Sequence, residues 1–473
     1  MRVPVAWLRD YVDLPDDAGE IVARLAALGF PVDEVEERPA LSGVVVGRIA
    51  ELARHPNADR LQVCTVDVGA DRALTIATAA TNVAQGQVVP VARIGAHLAG
   101  GLTIAPRTMR GIDSEGMLIS AEEVGLPGEW FEDGIMQLES ATPIGADAIA
   151  LLRLTDPVLD VEVTPNRPDA LAIVGLAREL AASFGIPLRE PSTDAAVVAP
   201  DGPEPRVTIE TFDCRRFVFQ RARGLRVGPA PAWMRVRLAL AGQRPIDNVV
   251  DVSNFVMLEL GQPLHFFDDA RIANGHLTVR DAREGERFTT LDTVERELDP
   301  RAIVICDDDG PTSLAGIMGG RRSEVSAATT DVLIEAASWS GPRVRRASTA
   351  LKLRTEASSR FEKSLPLALA ELGAARAAHL LAEQGALLEP RHVAGTPAPA
   401  PRAVRLAADA AQRLLGFEVS PDDAQRALGA LGFATVRERD DLLVTPPYWR
   451  DDVAIAADVV EELARMIGYD RVR

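Results

Sequence analysis

Four carboxylates near the end of the sequence have a spacing that could bind a metal ion. Asp458, Glu461 and Glu462 stand at positions i, i+3 and i+4, so they share one face of a predicted helix. Asp452 precedes that helix and could fold back toward the same face. Four carboxylates in this order suit a hard cation with oxygen ligands, such as Mg2+. The spacing fits equally well an acidic helix start whose solvated charges complement the helix dipole.

A second candidate group surrounds His265, in the stretch RPIDNVVDVSNFVMLELGQPLHFFD at residues 244–268. Gly261-Gln262-Pro263 breaks the chain there and is followed by an imidazole between Leu264 and Phe266. Such a residue suits the wall of a pocket. The same pattern is typical of a buried histidine that has a single hydrogen-bond partner, and periodicity does not separate these two interpretations.

Composition sets the limits for the whole chain. Its 473 residues are 47% hydrophobic, 25% charged and 4% aromatic, which is typical of a globular protein with three or four domains. The sequence has no signal-peptide pattern and no apolar run long enough to span a bilayer. Three widely spaced cysteines, Cys64, Cys214 and Cys306, predict reduced thiols in a cytoplasm.

The formal net charge is −18, which argues against a protein coated in phosphate-binding surface. Any binding of nucleic acid must therefore depend on local basic patches or on a partner that supplies them.

The order of periodic segments predicts several domains. Residues 1–39 and 151–195 have apolar residues at helical spacing. Residues 40–150 read as many short strands separated by Gly, Pro and Asn, which favours a small closed barrel with strands at Thr75–Ala77, Val88–Ala92 and Leu102–Ala105. Residues 190–206 and 396–402 are linkers rich in proline and small residues.

The second half of the chain mixes strands and helices over residues 207–395. Strands are predicted at 206–209, 217–222, 277–281, 302–306 and 332–335, and helices at 231–241 and 365–383. The glycine-rich turn at 314–325 lacks the ending and spacing of a nucleotide loop, so its glycines instead allow a close backbone approach. Residues 403–473 add helices at 408–415 and 422–431 and a strand at 443–444.

Ordered motifs from the first residue to the last carry a resemblance to a known family. They are MRVPVAWLRDYVDLP, HPNADRLQVCTVDVG, TNVAQGQVVPVARIGAHL, MRGIDSEGMLISAEEVGL, DPVLDVEVTPNRPDALAIVGLARELAASFG, RPI-x-NVVD, VMLELGQP-x-H-x-FD, LKLRTEASSRFEK and PPYWRDDVAIAADVVEELARMIGYDRV. Together they resemble the N-terminal portion of the bacterial phenylalanyl-tRNA synthetase beta subunit.

This resemblance implies an α+β multidomain fold. A small β-barrel of the oligonucleotide-binding fold, residues 40–150, would be inserted in a helical module formed by 1–39 and 151–195. A mixed α/β editing domain at 207–395 and a small α+β metal-binding domain at 403–473 would follow. The chain would end before the family's catalytic-like and anticodon-binding domains.

The resemblance also implies a proofreading pocket made by His265, Glu335, Thr355 and Ala357, which would hydrolyse tyrosine from tRNA-Phe. No Ser-His-Asp or Cys-His arrangement occurs, so the economical mechanism uses a positioned water that His265 and Thr355 orient or polarise. An alternative is that Glu335 and Arg354 simply pair at the surface. The sequence FEKSLPLALA departs from the family around Ser364.

As an aminoacyl-tRNA synthetase subunit, the chain is expected to work in the cytoplasm, away from membranes, in an alpha-two beta-two assembly. The alpha subunit would attach phenylalanine to tRNA-Phe with ATP, and the motif match would place Mg2+ at Asp452, Asp458, Glu461 and Glu462. In the barrel, Arg107 and Arg110 lie near Asn82, Ser114 and Ser120 in the family pattern and could meet RNA. A non-catalytic tRNA-binding scaffold is the alternative.

Overall fold

A computed structural model describes residues 1–471, so the last two residues of the predicted domain 403–473 lie outside it. The chain divides into two compact units. The first contains residues 1–7, 33–160 and 229–246, and the second contains residues 8–32, 161–228 and, of the described residues, 247–471. Among the described helices, none is both long and apolar enough to cross a membrane.

The first 184 residues contain ten strands and four helices longer than a 3-10 turn. They are β1 (Arg2–Pro4), α1 (Val5–Leu8), α2 (Ala18–Ala27), β2 (Val32–Glu36), β3 (Ser42–Arg54), β4 (Gln62–Asp67), β5 (Leu74–Thr78), β6 (Val88–His97), β7 (Arg107–Met109), β8 (Ile112–Ser114), β9 (Gly116–Leu118), α3 (Ala148–Leu152), β10 (Val158–Val161) and α4 (Ile173–Phe184).

A further run of strands and helices follows up to residue 395. They are β11 (Arg206–Ile209), β12 (Cys214–Arg223), α5 (Ala232–Leu240), α6 (Asn248–Leu260), β13 (Leu264–Asp268), β14 (His276–Asp281), β15 (Arg287–Thr289), β16 (Glu295–Glu297), β17 (Ile303–Asp307), β18 (Gly310–Leu314), β19 (Met318–Gly319), β20 (Val332–Trp339), α7 (Gly341–Leu351), α8 (Glu356–Phe361), α9 (Leu367–Glu383), β21 (Leu387–Leu388) and β22 (His392–Gly395).

The last segment of the chain, from residue 404 onward, mixes helices and strands. It comprises β23 (Val404–Leu406), α10 (Ala410–Leu415), α11 (Pro421–Ala430), β24 (Ala434–Glu438), β25 (Asp441–Thr445) and α12 (Ala456–Ile467). Its three strands form an antiparallel sheet in the order β23-β25-β24, and α12 buries Val459, Val460 and Leu463 in the same hydrophobic cluster.

The first unit is built on a curved sheet with the order β5-β4-β3-β6-β9. Alternate residues of these strands face inward, because successive strand side chains point to opposite faces. The two edges approach each other where the Glu115 N–H donates to the Thr75 carbonyl at 2.8 Å. The sheet is therefore nearly closed, as the predicted barrel requires. The predicted strand at 102–105 is wrong, because only Thr103 there forms a bridge, with His97.

The second unit contains two five-stranded sheets, one of which positions the candidate pocket. That sheet has the order β13-β20-β12-β21, with β22 also paired to β12. Helix α9 covers one face, where Ala370 and Ala374 pack against Val218 and Ala336. The other sheet, β11-β14-β17-β18-β19, ends in the glycine-rich turn. The strands and the long helix predicted for this region are confirmed within a few residues.

Candidate active site

Strand pairing brings His265 and Glu335 together. Strands β13 and β20 are antiparallel, and His265 lies directly opposite Glu335 in their register. Directly opposed residues of neighbouring strands point to the same face of a sheet. The two side chains therefore share one face, opposite the face that Leu264, Val218 and Ala336 turn toward α9.

Burial makes both of these groups neutral at pH 7. Desolvation disfavours the charged form of each group, so it raises the pKa of Glu335 to about 8 and lowers the pKa of His265 to about 4. The Glu335 side chain is then a carboxylic acid that can both donate and accept a hydrogen bond. The site offers polar groups without a formal charge.

The imidazole of His265 is held by packing. Its ring meets Phe267 edge-on, with 4.6 Å between ring centroids. A Cβ built on Gly319 would lie 2.2 Å from the Cε1 atom of His265, so only glycine leaves room for the ring. The Nε2 atom of His265 is buried and has no hydrogen-bond partner among the described residues. A buried nitrogen without a partner is free to bind a water or a ligand.

Thr355 connects helix α8 with the glycine-rich turn. Its hydroxyl accepts from the Ser358 N–H at 3.1 Å and donates to the Ile317 carbonyl at 2.9 Å. Its own N–H donates to the Ser358 hydroxyl at 2.9 Å, which completes a capping box. Since its single hydroxyl proton is already donated, the Thr355 side chain holds the start of α8 against the glycine-rich turn. Ala357, half-buried, occupies the first turn of the same helix.

The predicted site residues therefore come together through two links: His265 faces Glu335, and Thr355 holds Ile317, two residues before Gly319. The alternative in which Glu335 pairs with Arg354 at the surface is wrong. Glu335 is 6% exposed, and the guanidinium of Arg354 instead donates to Glu362 at 3.0 Å.

Two aromatic rings in the same row were not foreseen. Glu335 lies opposite Phe219 on its other side, and Phe219 lies opposite His392 of β22. The rings of Phe219 and His392 are stacked, with centroids 5.2 Å apart. Strand alternation predicts that Phe219 faces one side of β12, but the sequence contains no signal for the register that aligns it with Glu335.

The four carboxylates of the predicted metal site already have protein partners or point to solvent. Asp452 binds Arg450 through two hydrogen bonds of 2.8 Å, and the buried Glu462 binds Arg450 and Arg465. Asp458 accepts from two backbone N–H groups just before α12, and Glu461 is exposed. Burial raises the pKa of Glu462, but the two guanidiniums outweigh it and lower the pKa to about 2.

This arrangement does not fit a magnesium ion. Among residues 1–471, no group of three or more His, Cys, Asp or Glu side chains is placed to hold a metal. Mg2+ needs carboxylate oxygens that converge and are free of competing cations, whereas Arg450 and Arg465 occupy those of Asp452 and Glu462. The magnesium assignment stays a prediction from the sequence.

Arg450 and Arg465 belong to a longer chain of buried charges within the second unit. Arg465 also binds Glu179 of α4, at 2.9 Å, and Glu179 in turn binds Arg167. The alternating series comprises Asp169, Arg167, Glu179, Arg465, Glu462, Arg450 and Asp452. Each buried charge thus has an opposite neighbour, which burial requires.

In the barrel, the predicted RNA-facing polar side chains divide into two groups. Arg107 and Arg110 are exposed on the β7–β8 hairpin. Asn82, Ser114 and Ser120 instead make hydrogen bonds inside the unit, with Ile135, Gly116 and Glu123 respectively. Only the two arginines are therefore available to a ligand.

Three family models match successive parts of the chain. Residues 44–147 match a putative tRNA binding domain, residues 213–386 match a B3/4 domain and residues 404–469 match a tRNA synthetase B5 domain. The B3/4 match contains His265, Glu335, Thr355 and Ala357, and the B5 match contains the four carboxylates.

Curated relatives match all of this chain and part of their own length. Phenylalanine–tRNA ligase beta subunits of Moorella thermoacetica, Salinibacter ruber and Clostridium acetobutylicum are 44%, 42% and 39% identical to it. The alignments cover 100% of this chain and 60%, 59% and 60% of the relatives. The chain matches the N-terminal portion of phenylalanine–tRNA ligase beta subunits.

The chain thus spans about 60% of the length of these beta subunits. A solved N-terminal fragment of the phenylalanyl-tRNA synthetase beta subunit from Pyrococcus horikoshii is 17% identical. The match covers 66% of this chain and 88% of that one, with a TM-score of 0.37.

Proposed function

We propose that this chain is the proofreading part of a phenylalanine–tRNA ligase beta subunit and hydrolyses mischarged Tyr-tRNA-Phe. The observation that carries the proposal is that the neutral side chains of the buried Glu335 and the half-buried His265 lie opposite each other on one sheet face, inside the B3/4 match. A chain with 44% identity to a phenylalanine–tRNA ligase beta subunit would encounter Tyr-tRNA-Phe as a substrate.

Recognition of tyrosine needs a partner for the phenol. A hydrophobic pocket that selects phenylalanine cannot strongly reject an analogue that merely adds a hydroxyl, so a second site is needed to remove the product. A protonated Glu335 can hydrogen-bond a phenol without an unpaired buried charge. Phenylalanine offers no such group, so its ester would leave the buried carboxyl without a partner.

Hydrolysis of the ester then needs a positioned water. The Nε2 atom of His265 has no protein partner and can hold that water, because the imidazole stays neutral at pH 7. Thr355 acts by fixing Ile317 and the glycine-rich turn against α8. Ala357, in the first turn of α8, carries only a methyl side chain. None of these roles requires a covalent intermediate.

The wider assembly belongs to the same proposal. The chain would join the alpha subunit in a cytoplasmic alpha-two beta-two enzyme, in which the alpha subunit binds ATP and phenylalanine and charges tRNA-Phe. The exposed Arg107 and Arg110 of the barrel supply tRNA contacts. The alternative, a tRNA-binding scaffold without hydrolysis, is favoured by one observation: the single proton of the Thr355 hydroxyl is already donated to the Ile317 carbonyl.

The test compares hydrolysis of Tyr-tRNA-Phe and Phe-tRNA-Phe by the purified chain. We expect selective loss of the tyrosyl ester, a decrease of at least tenfold in Glu335→Ala and His265→Ala, and no change in the surface control Glu438→Ala. Equal, slow loss of both esters in every protein, with tRNA binding intact, would favour the scaffold.

A further inference from the structure

Helix α7 and the turn after it carry an unusual concentration of positive charge. Between Glu335 and Glu356 the sequence contains five cations, Arg343, Arg345, Arg346, Lys352 and Arg354, and no acidic residue. The chain as a whole has a formal net charge of −18. Its two lysines, Lys352 and Lys363, both lie in this region. This local excess is what an acidic protein needs if it binds phosphates at one place.

Two of these five cations are neutralised by internal partners, whereas three are not. Arg343 binds Asp213 and Asp281 at 3.1 and 2.7 Å, and Arg354 binds Glu362 at 3.0 Å. The exposed side chains of Arg345, Arg346 and Lys352 have no ion pair and no hydrogen bond within residues 1–471. Their charges are therefore available to a ligand.

Two of these free arginines line an open groove of about 660 Å³. The lining also includes Arg301, Lys363 and Thr349. The acid in the lining, Glu362, is already bound to Arg354 and lies 3.9 Å from Lys363. Arg301 is bound to Asp299 at 2.6 Å, so Arg345 and Arg346 are the charges of the groove that remain for a ligand. A groove open to solvent along its length can take an extended chain of phosphates.

We infer that this groove, formed by α7 and Lys363, binds the phosphate backbone of the RNA whose 3′ end enters the candidate pocket. The choice of RNA as the ligand rests on the proposed function, since hydrolysis of an aminoacyl ester requires the attached RNA to lie beside the candidate pocket. The sequence connects α7 directly to the candidate pocket. Lys352 and Arg354 follow α7 and precede Thr355, whose hydroxyl donates to the Ile317 carbonyl of the glycine-rich turn.

The first test measures RNA binding as a function of salt. The variant is Arg345→Ala/Arg346→Ala, in which alanine keeps the helix because it has a high helix propensity. Loss of two phosphate contacts should weaken tRNA-Phe binding by roughly tenfold at low salt. It should also lower the slope of log affinity against log salt by about 1.4–1.8, since each contact contributes about 0.7–0.9.

The matched control is Arg402→Ala/Arg439→Ala, which removes two exposed arginines that likewise have no ion pair within the described residues, elsewhere in the second unit. It should leave affinity and slope near those of the parent chain. If the two double variants bound tRNA-Phe with equal affinity, the inference would be overturned. The α7 charges would then contribute no more to RNA binding than exposed charges elsewhere.

The two lysines allow a second, positional test. Periodate converts the 3′-terminal ribose of tRNA to a dialdehyde; a lysine amine forms an imine with it, releasing water, and cyanoborohydride reduces that imine. We expect a covalent adduct at Lys352 or Lys363, identified by mass spectrometry. Burial lowers the pKa of Lys363, which increases its fraction of reactive free amine. Lys352→Arg/Lys363→Arg keeps the charge and should abolish the adduct.

The proposed function and this inference can fail separately. Adenosine carrying a 3′-tyrosyl ester has no phosphodiester, so Arg345→Ala/Arg346→Ala should hydrolyse it at the parent rate while acting more slowly on Tyr-tRNA-Phe. The parent chain could hydrolyse neither substrate and still show the salt effect and the adduct. That result would contradict the proposed function and support RNA binding in the groove. If the double variant hydrolysed both substrates at the parent rate, only the inference about the groove would be contradicted.

Discussion

At the scale of single residues, burial decides what the candidate site can do. Glu335 and His265 are an acid and a base side by side, yet desolvation moves their pKa values in opposite directions and leaves both neutral at pH 7. A charged carboxylate would repel an ester oxyanion, whereas a carboxylic acid can accept or donate toward a phenol. The same shifts couple these residues to the stability of the fold.

The pH dependence of unfolding should reveal the two residues. Below about pH 4.5 both states carry a protonated Glu335; as pH rises toward 8 only the unfolded state ionises, so the Glu335 contribution to stability is progressively lost. The lowered pKa of His265 acts in the opposite direction between about 4 and 6.5, where stability is gained as pH rises. The two slopes, each about 1.4 kcal/mol per pH unit, nearly cancel below pH 6.5.

We therefore expect the stability difference between the parent chain and Glu335→Gln to fall as the pH rises. The free energy of unfolding of the parent chain should fall most visibly between pH 6.5 and 8, where the His265 contribution no longer offsets that of Glu335. Urea unfolding of both proteins at a series of pH values would measure it. A flat profile for Glu335→Gln would mean that Glu335 is ionised at neutral pH.

At the scale of elements, the candidate site depends on close contacts between a strand, a turn and a short helix. Gly319 permits the His265 ring to lie against the backbone of β19, and Thr355 ties α8 to the same turn. These contacts explain why a glycine-rich turn without a nucleotide-loop pattern is present at all. The turn provides room and position.

Gly319→Ala should displace the imidazole, because its Cβ would lie 2.2 Å from Cε1. We expect hydrolysis of Tyr-tRNA-Phe to fall by roughly a hundredfold, the effect of misplacing a reacting group by about 1 Å. Gly429→Ala is the control, since nothing lies within 4 Å of a Cβ there and alanine favours α11. Full activity of Gly319→Ala would exclude His265 from a positioning role.

Replacing Thr355 separates capping from chemistry. Thr355→Ala removes the cap of α8 and the bond to Ile317, and should destabilise the chain by about 1 kcal/mol while slowing hydrolysis. Thr355→Ser retains both hydrogen bonds and should restore the rate and the stability, measured by ester loss and by urea unfolding. A serine variant as slow as the alanine variant would show that the methyl group matters instead.

At the scale of the whole molecule, a buried series of seven charges runs through the second unit from Asp169 to Asp452. It joins residues of the α4 region to residues before and within α12, which are nearly 300 positions apart in sequence. Each of the three arginines binds two of the four carboxylates, so loss of one member breaks buried ion pairs in a low dielectric. The series fixes how these segments pack.

Glu462→Gln should destabilise the second unit by about 3 kcal/mol or more, since Arg450 and Arg465 would each lose a buried partner. Glu461→Gln, one position away and exposed, should change stability by less than about 0.5 kcal/mol. Thermal unfolding would measure both, and added Mg2+ or a chelator should leave the midpoint of the parent chain unchanged. A rise of several degrees with Mg2+ would support the metal site that the spacing predicts.

The sequence by itself determined the alternation of the barrel strands, the long helix α9, the shared helical face of Asp458, Glu461 and Glu462, and the motifs that contain the pocket residues. These features are local, because periods of 2 and 3.6 residues and turn-forming glycines depend on near neighbours. What stands opposite each side chain is not local. Only the tertiary structure decided that Glu335 faces His265 and Phe219, and that arginines occupy the carboxylates of Asp452 and Glu462. Strand register and the packing of distant segments set both, and neither is written in spacing.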